Sequence, residues 1–353
     1  MPLSGSSSMT PFQQLLLVIV VIAVLAMVYA FFYRRDLLEK YWMLDKHLLQ
    51  RGTDKPALWL FLPSSEVTSR HWLDFGQRSS RALNIPLLNL CYETIVSHNH
   101  PLYHVRVISG VSGLADLLGG EEALPWLLKE HGDLAALGPA EMNWIRAAVL
   151  AKFGGLWLFP STICLRPFGA QPKDKIVFFG TDAGQTLSGP KGTPVPSGEA
   201  LWVPKAGHPV MAEWERVCFQ RVNEKRGGEQ FRGDWGWDFL RFSQELSQKG
   251  EAVVVDPHAE LSRKRDGKRI QLEDLFATGT EGRLPFDVPP HALYCPIPWE
   301  ELQRREAFGW VLRMSEEQIM DSDVAVKYLF QASMAAMAPP ASALPAPAPA
   351  PAR

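Results

Sequence analysis

NWIRAAVLAKFGGLWLFPSTICLRPF, residues Asn143–Phe168, decides the fold. Ile145, Ala148, Val149 and Ala151 gather on one face of a helix, with Lys152 on a basic edge. Gly154-Gly155 ends that helix, because glycine takes a left-handed cap without steric cost. Leu156–Phe159 is short and continuously apolar, as a strand buried on both faces must be. A loop begins at Pro160. Ligands of open α/β sheets bind outside the carboxyl ends of strands, so Phe159–Thr162 falls where a ligand is expected.

The same reading extends outward. The central helix starts at Pro139, with Glu141 in its first turn, both favoured there. Ala57–Leu62, closed by Pro63, reads as a buried strand, and His104–Ile108, Ile176–Phe179, Leu201–Val203 and Ala252–Val255 as further strands. Ser65–Leu83, Ala123–Glu130, Met211–Val222 and Trp237–Gln248 read as helices, and Pro86–Tyr92 fits either state. Strands alternating with helices imply an α/β domain over residues 56–331. From Ala332 the chain is rich in Ala and Pro, which predicts an extended tail over 332–353.

Ahead of this domain, an uncharged segment, 1–14, precedes Leu15–Tyr33 (LLLVIVVIAVLAMVYAFFY), an apolar run without charge. As a helix it spans ~28 Å, about one hydrocarbon core. A signal peptide would need a basic start and a small-residue cleavage site, and neither is present. A permanent single-pass anchor in the lipid bilayer is therefore expected. Arg34, Arg35, Lys40, Lys46 and Arg51 follow the run and no basic residue precedes it, which places the C-terminal domain in the cytosol. Residues 34–55 form the juxtamembrane link, with a short helix over Asp36–Gln50.

The composition is that of a globular chain. Of its 353 residues 46% are hydrophobic, and the net charge of −2 excludes broad electrostatic binding to nucleic acid. Cys91, Cys164, Cys218 and Cys295 lack the close spacing of a zinc site. Parity allows two disulfides; buried free thiols are the commoner arrangement. The phosphate loop GxxxxGK[ST] and the motifs GxGxxG, HExxH and GxSxG are absent.

Asn143–Pro167 resembles the DXD region of glycosyltransferase family 32 and of the capsular polysaccharide synthesis transferases, enzymes of GT-A fold. Arg146 falls on the Arg of their S-D-x-x-R, Phe153-Gly154-Gly155 on Y-G-G, Trp157 on the following aromatic, and Arg166-Pro167 on K-P. The resemblance implies a GT-A-like fold, a mixed but mostly parallel sheet with helices on both faces, behind one transmembrane helix. It implies a nucleotide-sugar donor and a glycan acceptor as partners. Asn143, Arg146, Gly154, Gly155, Trp157 and Ser161 would be the substrate-binding set. The acids depart from the pattern: Asn143 stands for the helix Asp, and Phe159 and Ser161 for the two Asp of DXD. Mg²⁺ and Mn²⁺ want hard oxygen ligands, so these residues predict no metal site and no metal cofactor. Ser69–Ile95 is similar, more faintly, to uncharacterised membrane-anchored proteins of large DNA viruses, which also carry Gly-Gly followed by a Pro-Ser variant.

Two functions follow. One is a membrane-anchored glycosyltransferase-like enzyme working without a DXD metal, with Asp182, Asp234 and Asp238 as weak candidates for catalytic acids. For Asp234 and Asp238 the simpler role is a helix start, and for Asp182 a turn. The other is an inactive transferase fold kept as a structural or interaction module at a membrane. His98, His100 and His104 read as a solvated turn at Pro101 rather than a metal site. Arg263–Arg269 reads first as a hairpin tip at Asp266-Gly267, with an anionic membrane surface as the alternative partner.

Overall fold

The computed structural model describes residues 55–63, 85–135, 137–186, 194–224, 253–264, 266–278 and 284–337, all within the unit His47–Arg353. The expected anchor at Leu15–Tyr33, the link 34–54 and the helices Ser65–Leu83 and Trp237–Gln248 lie outside the described residues. No described helix is long and apolar enough to cross a membrane.

The chain runs β1 (Ala57–Leu62), α1 (Ile85–Asn99), β2 (His104–Ser109), α2 (Gly110–Leu118), α3 (Trp126–His131), α4 (Pro139–Phe153), β3 (Gly155–Leu158), β4 (Thr162–Cys164), β5 (Ile176–Thr186), β6 (Pro194–Val203), α5 (Pro209–Glu224) and β7 (Val253–Asp256). It continues through α6 (Leu272–Leu275), β8 (Tyr294–Pro296), α7 (Trp299–Arg304), α8 (Glu316–Asp321) and α9 (Ala325–Met337). Six strands form a sheet in the order β2-β1-β3-β6-β5-β7. β1 pairs in parallel with β2 and β3, β5 pairs in parallel with β7, and β6 runs antiparallel between β3 and β5. The sheet is thus mixed and mostly parallel, an arrangement compatible with a GT-A-like fold.

Side chains alternate along each strand, and both faces are covered. Trp59, Phe61, Trp157, Phe178, Leu201 and Val203 meet Trp144, Ile145 and Val149 of α4 and Met211 and Trp214 of α5. Leu58, Leu60, Leu156, Leu158, Phe179 and Trp202 meet Ile95 of α1, Cys164 and Tyr294. That double coverage is why these strands read as unbroken apolar runs. A further core joins Leu87, Leu90 and Cys91 of α1 to α6–α9. Flanked by apolar partners on two sides, α1 has no clean polar face, so Pro86–Tyr92 carries no decisive periodicity.

α4 has the predicted bounds, and its Glu141 carboxylate accepts from Gly138 N at 3.0 Å, closing the first turn. Three expectations need correction. Ala123–Glu130 is not one helix: a 3-10 turn at Glu121–Ala123 stops before Pro125, and α3 restarts at Trp126. The extended tail does not begin at Ala332, because α9 continues to Met337, ending just before Pro339. Its Ser333 is fully buried, and the Ala-rich stretch 332–337 is helix-forming once it has a core to pack on. Nor is His98 solvated: it sits buried in the last turn of α1, its Nε2 3.0 Å from Ser333 Oγ. Arg263–Arg269 does form a hairpin tip, with Lys264 N donating to Lys268 O at 2.8 Å and Arg263 bridged to Arg269. All four cysteines are free and buried.

Candidate functional site

β3 has an end at each edge of the sheet, and the predicted site residues divide between them. Gly154 and Gly155 lie at the amino edge. Gly155 has φ +97°, and a Cβ there would run into the Ala57 carbonyl oxygen. A Cβ on Gly154, at φ +66°, would lie 2.7 Å from the Lys205 carbonyl carbon. Trp59 Nε1 donates to Gly154 O at 2.8 Å, and Gly207 N donates to Ala151 O at 2.7 Å. The Gly-Gly pair is therefore a close-packing device. It sits ~13 Å from Phe159 at the rise of an extended strand, at the edge opposite the one where ligands bind. Trp157, between the two ends, is fully buried under α4, its ring edge-on to Phe159 with centroids 6.3 Å apart.

Asn143, Arg146 and Phe159 meet at the carboxyl edge, through adjacent residues of β6, and Ser161 follows two residues after Phe159. Asn143 and Arg146 sit one turn apart on α4 and are both buried. Arg146 donates to Asn143 Oδ1 at 2.5 Å and to the Gly198 carbonyl in β6. Burial lowers its guanidinium to about 10, against the attraction of Cys218 and Glu199. Phe159 N donates to Glu199 O at 3.2 Å, and its half-buried ring packs against the core beneath α4. Ser161 is buried, its carbonyl accepting from Ile297 N at 2.9 Å. Asp182 lies in β5 with its side chain outside the described set, and Asp234 and Asp238 lie outside the described residues. Among the described residues, no group of three or more His, Cys, Asp or Glu is placed to hold a metal.

Sequence reasoning missed the polar groups that occupy the rest of this edge. Glu260 follows β7 and bridges in parallel to Tyr294. Tyr294 Oη lies 3.1 Å from Glu260 Oε2 and donates to the Phe179 carbonyl at 2.5 Å. Burial pushes the Glu260 carboxyl above its ordinary value, against hydrogen bonds with Ser197, Tyr294 and Ser262 and the attraction of Arg269. The Tyr294 phenol is pushed up by burial first, then by the charges of Glu260 and Glu199. Nearby in sequence, the exposed rings of His258 and His291 meet edge to face, centroids 5.0 Å apart. One signal pointed here: Ala252–Val255 was legible as a strand, and the residues after its carboxyl end were the next place to look. A carboxyl group shifted by its surroundings in this way is a candidate for proton exchange.

No protein-family model matches the chain, and no curated protein matches it. Among solved structures the chain is similar to PaToxG Glycosyltransferase, at 13% identity and a TM-score of 0.30, over 63% of this chain and 80% of that one. At that level the likeness carries no argument about the site.

Proposed function

We propose that this chain is a glycosyltransferase-like protein, tethered to a membrane by Leu15–Tyr33, whose transferase frame serves as an interaction module and not as a DXD metal enzyme. One observation carries this reading. Arg146, the cation that would offset a nucleotide diphosphate, is only 3% exposed and spends donors on Asn143 and the Gly198 carbonyl. The neighbouring position, where the first DXD acid would stand, is a phenyl ring packed into the core. Such residues tie α4 to β6 and stiffen the edge; they do not present charge to a ligand.

A second reading is favoured by Glu260 and Glu199: metal-independent transfer from a nucleotide sugar to a glycan acceptor, with carboxyl groups drawn from β6 and the segment after β7. Incubating the full chain in detergent with UDP- and GDP-sugars at millimolar concentration, with and without Mn²⁺, separates the two. The module reading expects neither nucleotide binding nor sugar release. Saturable binding or turnover without Mn²⁺ establishes the second reading and removes the first.

A further inference from the structure

Pro-His-Ala occurs twice in the chain, as Pro257-His258-Ala259 after β7 and as Pro290-His291-Ala292 before β8. The fold sets the two copies side by side. The rings of His258 and His291 have centroids 5.0 Å apart and planes at 71°, and both residues are exposed. Among the described residues no hydrogen bond or ion pair engages either ring. We propose that His258 and His291 form a two-imidazole chelate for a divalent transition ion, Zn²⁺ or Cu²⁺, at the carboxyl edge of the sheet. The site is separate from the DXD positions and does not depend on whether the transferase frame handles a sugar.

The separation of the rings fits one ion. Zinc sits ~2.0 Å from an imidazole nitrogen and the ring centroid lies ~1.2 Å further on, so each centroid is ~3.2 Å from the metal. Two such rings on one ion have centroids ~4.5 Å apart at a right angle and ~5.2 Å apart at the tetrahedral angle. The observed 5.0 Å lies between these limits. Because the rings meet edge to face, each must turn to aim a nitrogen at the common point. χ2 of histidine is a broad torsion and both rings are exposed, so that turn costs little.

The backbone beneath the rings is already fixed. Asp256 Oδ1 accepts from His258 N at 3.1 Å, closing a side-chain turn over Pro257. Ala292 N donates to Pro289 O at 3.1 Å, closing a backbone turn with Pro290 at its second position. Each proline has a fixed φ immediately ahead of its histidine. The alanine after each histidine is buried, and Ala259 O accepts from Leu293 N at 2.7 Å and from Tyr294 N at 3.2 Å. Two short turns are thus pinned to one another directly below the rings. Chelation then has only two side chains to order, and such preorganisation raises affinity.

The donor set selects the ion. Imidazole nitrogen suits Zn²⁺, Cu²⁺ and Ni²⁺, whereas Mg²⁺, Ca²⁺ and Mn²⁺ want oxygen. Among the described residues no group of three or more His, Cys, Asp or Glu is placed to hold a metal, so water completes the coordination. The result is an open, exchangeable site and not a closed structural one. The Asp256 carboxylate, at the foot of His258, adds negative charge beside the ion.

The test is calorimetry of the full chain in detergent, free of any affinity tag and stripped by a chelator, titrated with Zn²⁺. The tightest site should take one ion per chain. A second ligand on the same ion adds about a hundredfold through effective concentration, so His258→Gln and His291→Gln should each weaken that site about a hundredfold. The double variant should be little worse than either single one, because the first substitution already removes the chelate. Zn²⁺ should raise the denaturant midpoint of the parent and leave that of the double variant unchanged. Parent affinity in either single variant overturns the proposal, as does one ion shared between two chains, or Mn²⁺ bound as tightly as Zn²⁺. Where a variant does not fold, Cu²⁺ broadening of ring signals in the NMR spectrum of the parent decides the matter. Loss of both the His258 and His291 signals at one equivalent of Cu²⁺ supports the chelate, and survival of either overturns it.

Discussion

At the amino edge of the sheet, backbone meets backbone: Gly155 lies against Ala57, Gly154 against Lys205, and a buried indole seals the junction. At the carboxyl edge, polar side chains do the joining: Arg146 to Gly198, Tyr294 to Phe179, and Glu260 to Tyr294 and Ser197. The first arrangement depends on shape and has nothing to titrate. The second depends on protons and charge, so it responds to its surroundings. The sequence motif that most suggested a binding site belongs to the first edge. What a ligand would meet belongs to the second.

The comparison is broken most directly at Gly155. Gly155→Ala forces a Cβ against Ala57 at a strained φ and is expected to cost about 4 kcal/mol, read as a lowered denaturant midpoint. Replacing Phe159 and Ser161 together by Asp exchanges packed ring and buried hydroxyl for charge. We expect a loss of about 3 kcal/mol and no gain in Mn²⁺ binding by calorimetry. Measurable Mn²⁺ affinity would show that the carboxyl edge is a conventional donor site in all but its acids. Arg146→Met should cost about 2 kcal/mol by orphaning the Gly198 carbonyl and Asn143. If it leaves stability unchanged, Arg146 is not the tie described here.

Smaller effects come from the far side of the sheet. Ser333→Ala removes the hydroxyl that donates to Cys164 O at 2.6 Å and meets His98, an expected loss of about 1 kcal/mol. Burial lowers the His98 pKa from its ordinary 6.5. A depressed folded value gives stability that is present above the unfolded one and lost as pH falls through the folded one, so acid should loosen α9. Titrating the His98 ring by NMR checks the direction. Smallest of all, Asp133→Ala removes the carboxylate that accepts from Val111 N at 2.6 Å and Ser112 N at 3.1 Å, worth ~0.5 kcal/mol to the start of α2.

Where punctuation and pattern coincide, the fold is legible. β1 is a closed apolar run ended by Pro63, and α4 lies between Pro139 and Gly154; both have the predicted bounds. α1 is not legible because it is buried against two cores, and the start of the tail is misplaced because Ala-rich helix and Ala/Pro-rich coil share a composition. The site is less readable than the fold for a different reason. Tyr294 reaches a carbonyl 115 residues away and a carboxylate 34 residues away, and no local period records such pairings. Glycine compounds the difficulty: Gly-Gly reads alike whether it approaches a phosphate or another strand.

The burial of Ser333 bears on how the chain comes to be folded. Its hydroxyl reaches Cys164 across 169 residues and His98 across 235, so α9 completes a core begun near the other end of the domain. During synthesis, Leu87, Leu90 and Cys91 must wait for partners translated much later, and contacts of such long separation form slowly. A ribosome-bound chain stopped before α9 would therefore expose an apolar surface to chaperones, and a nascent chain would become protease-resistant only after α9 had left the exit tunnel.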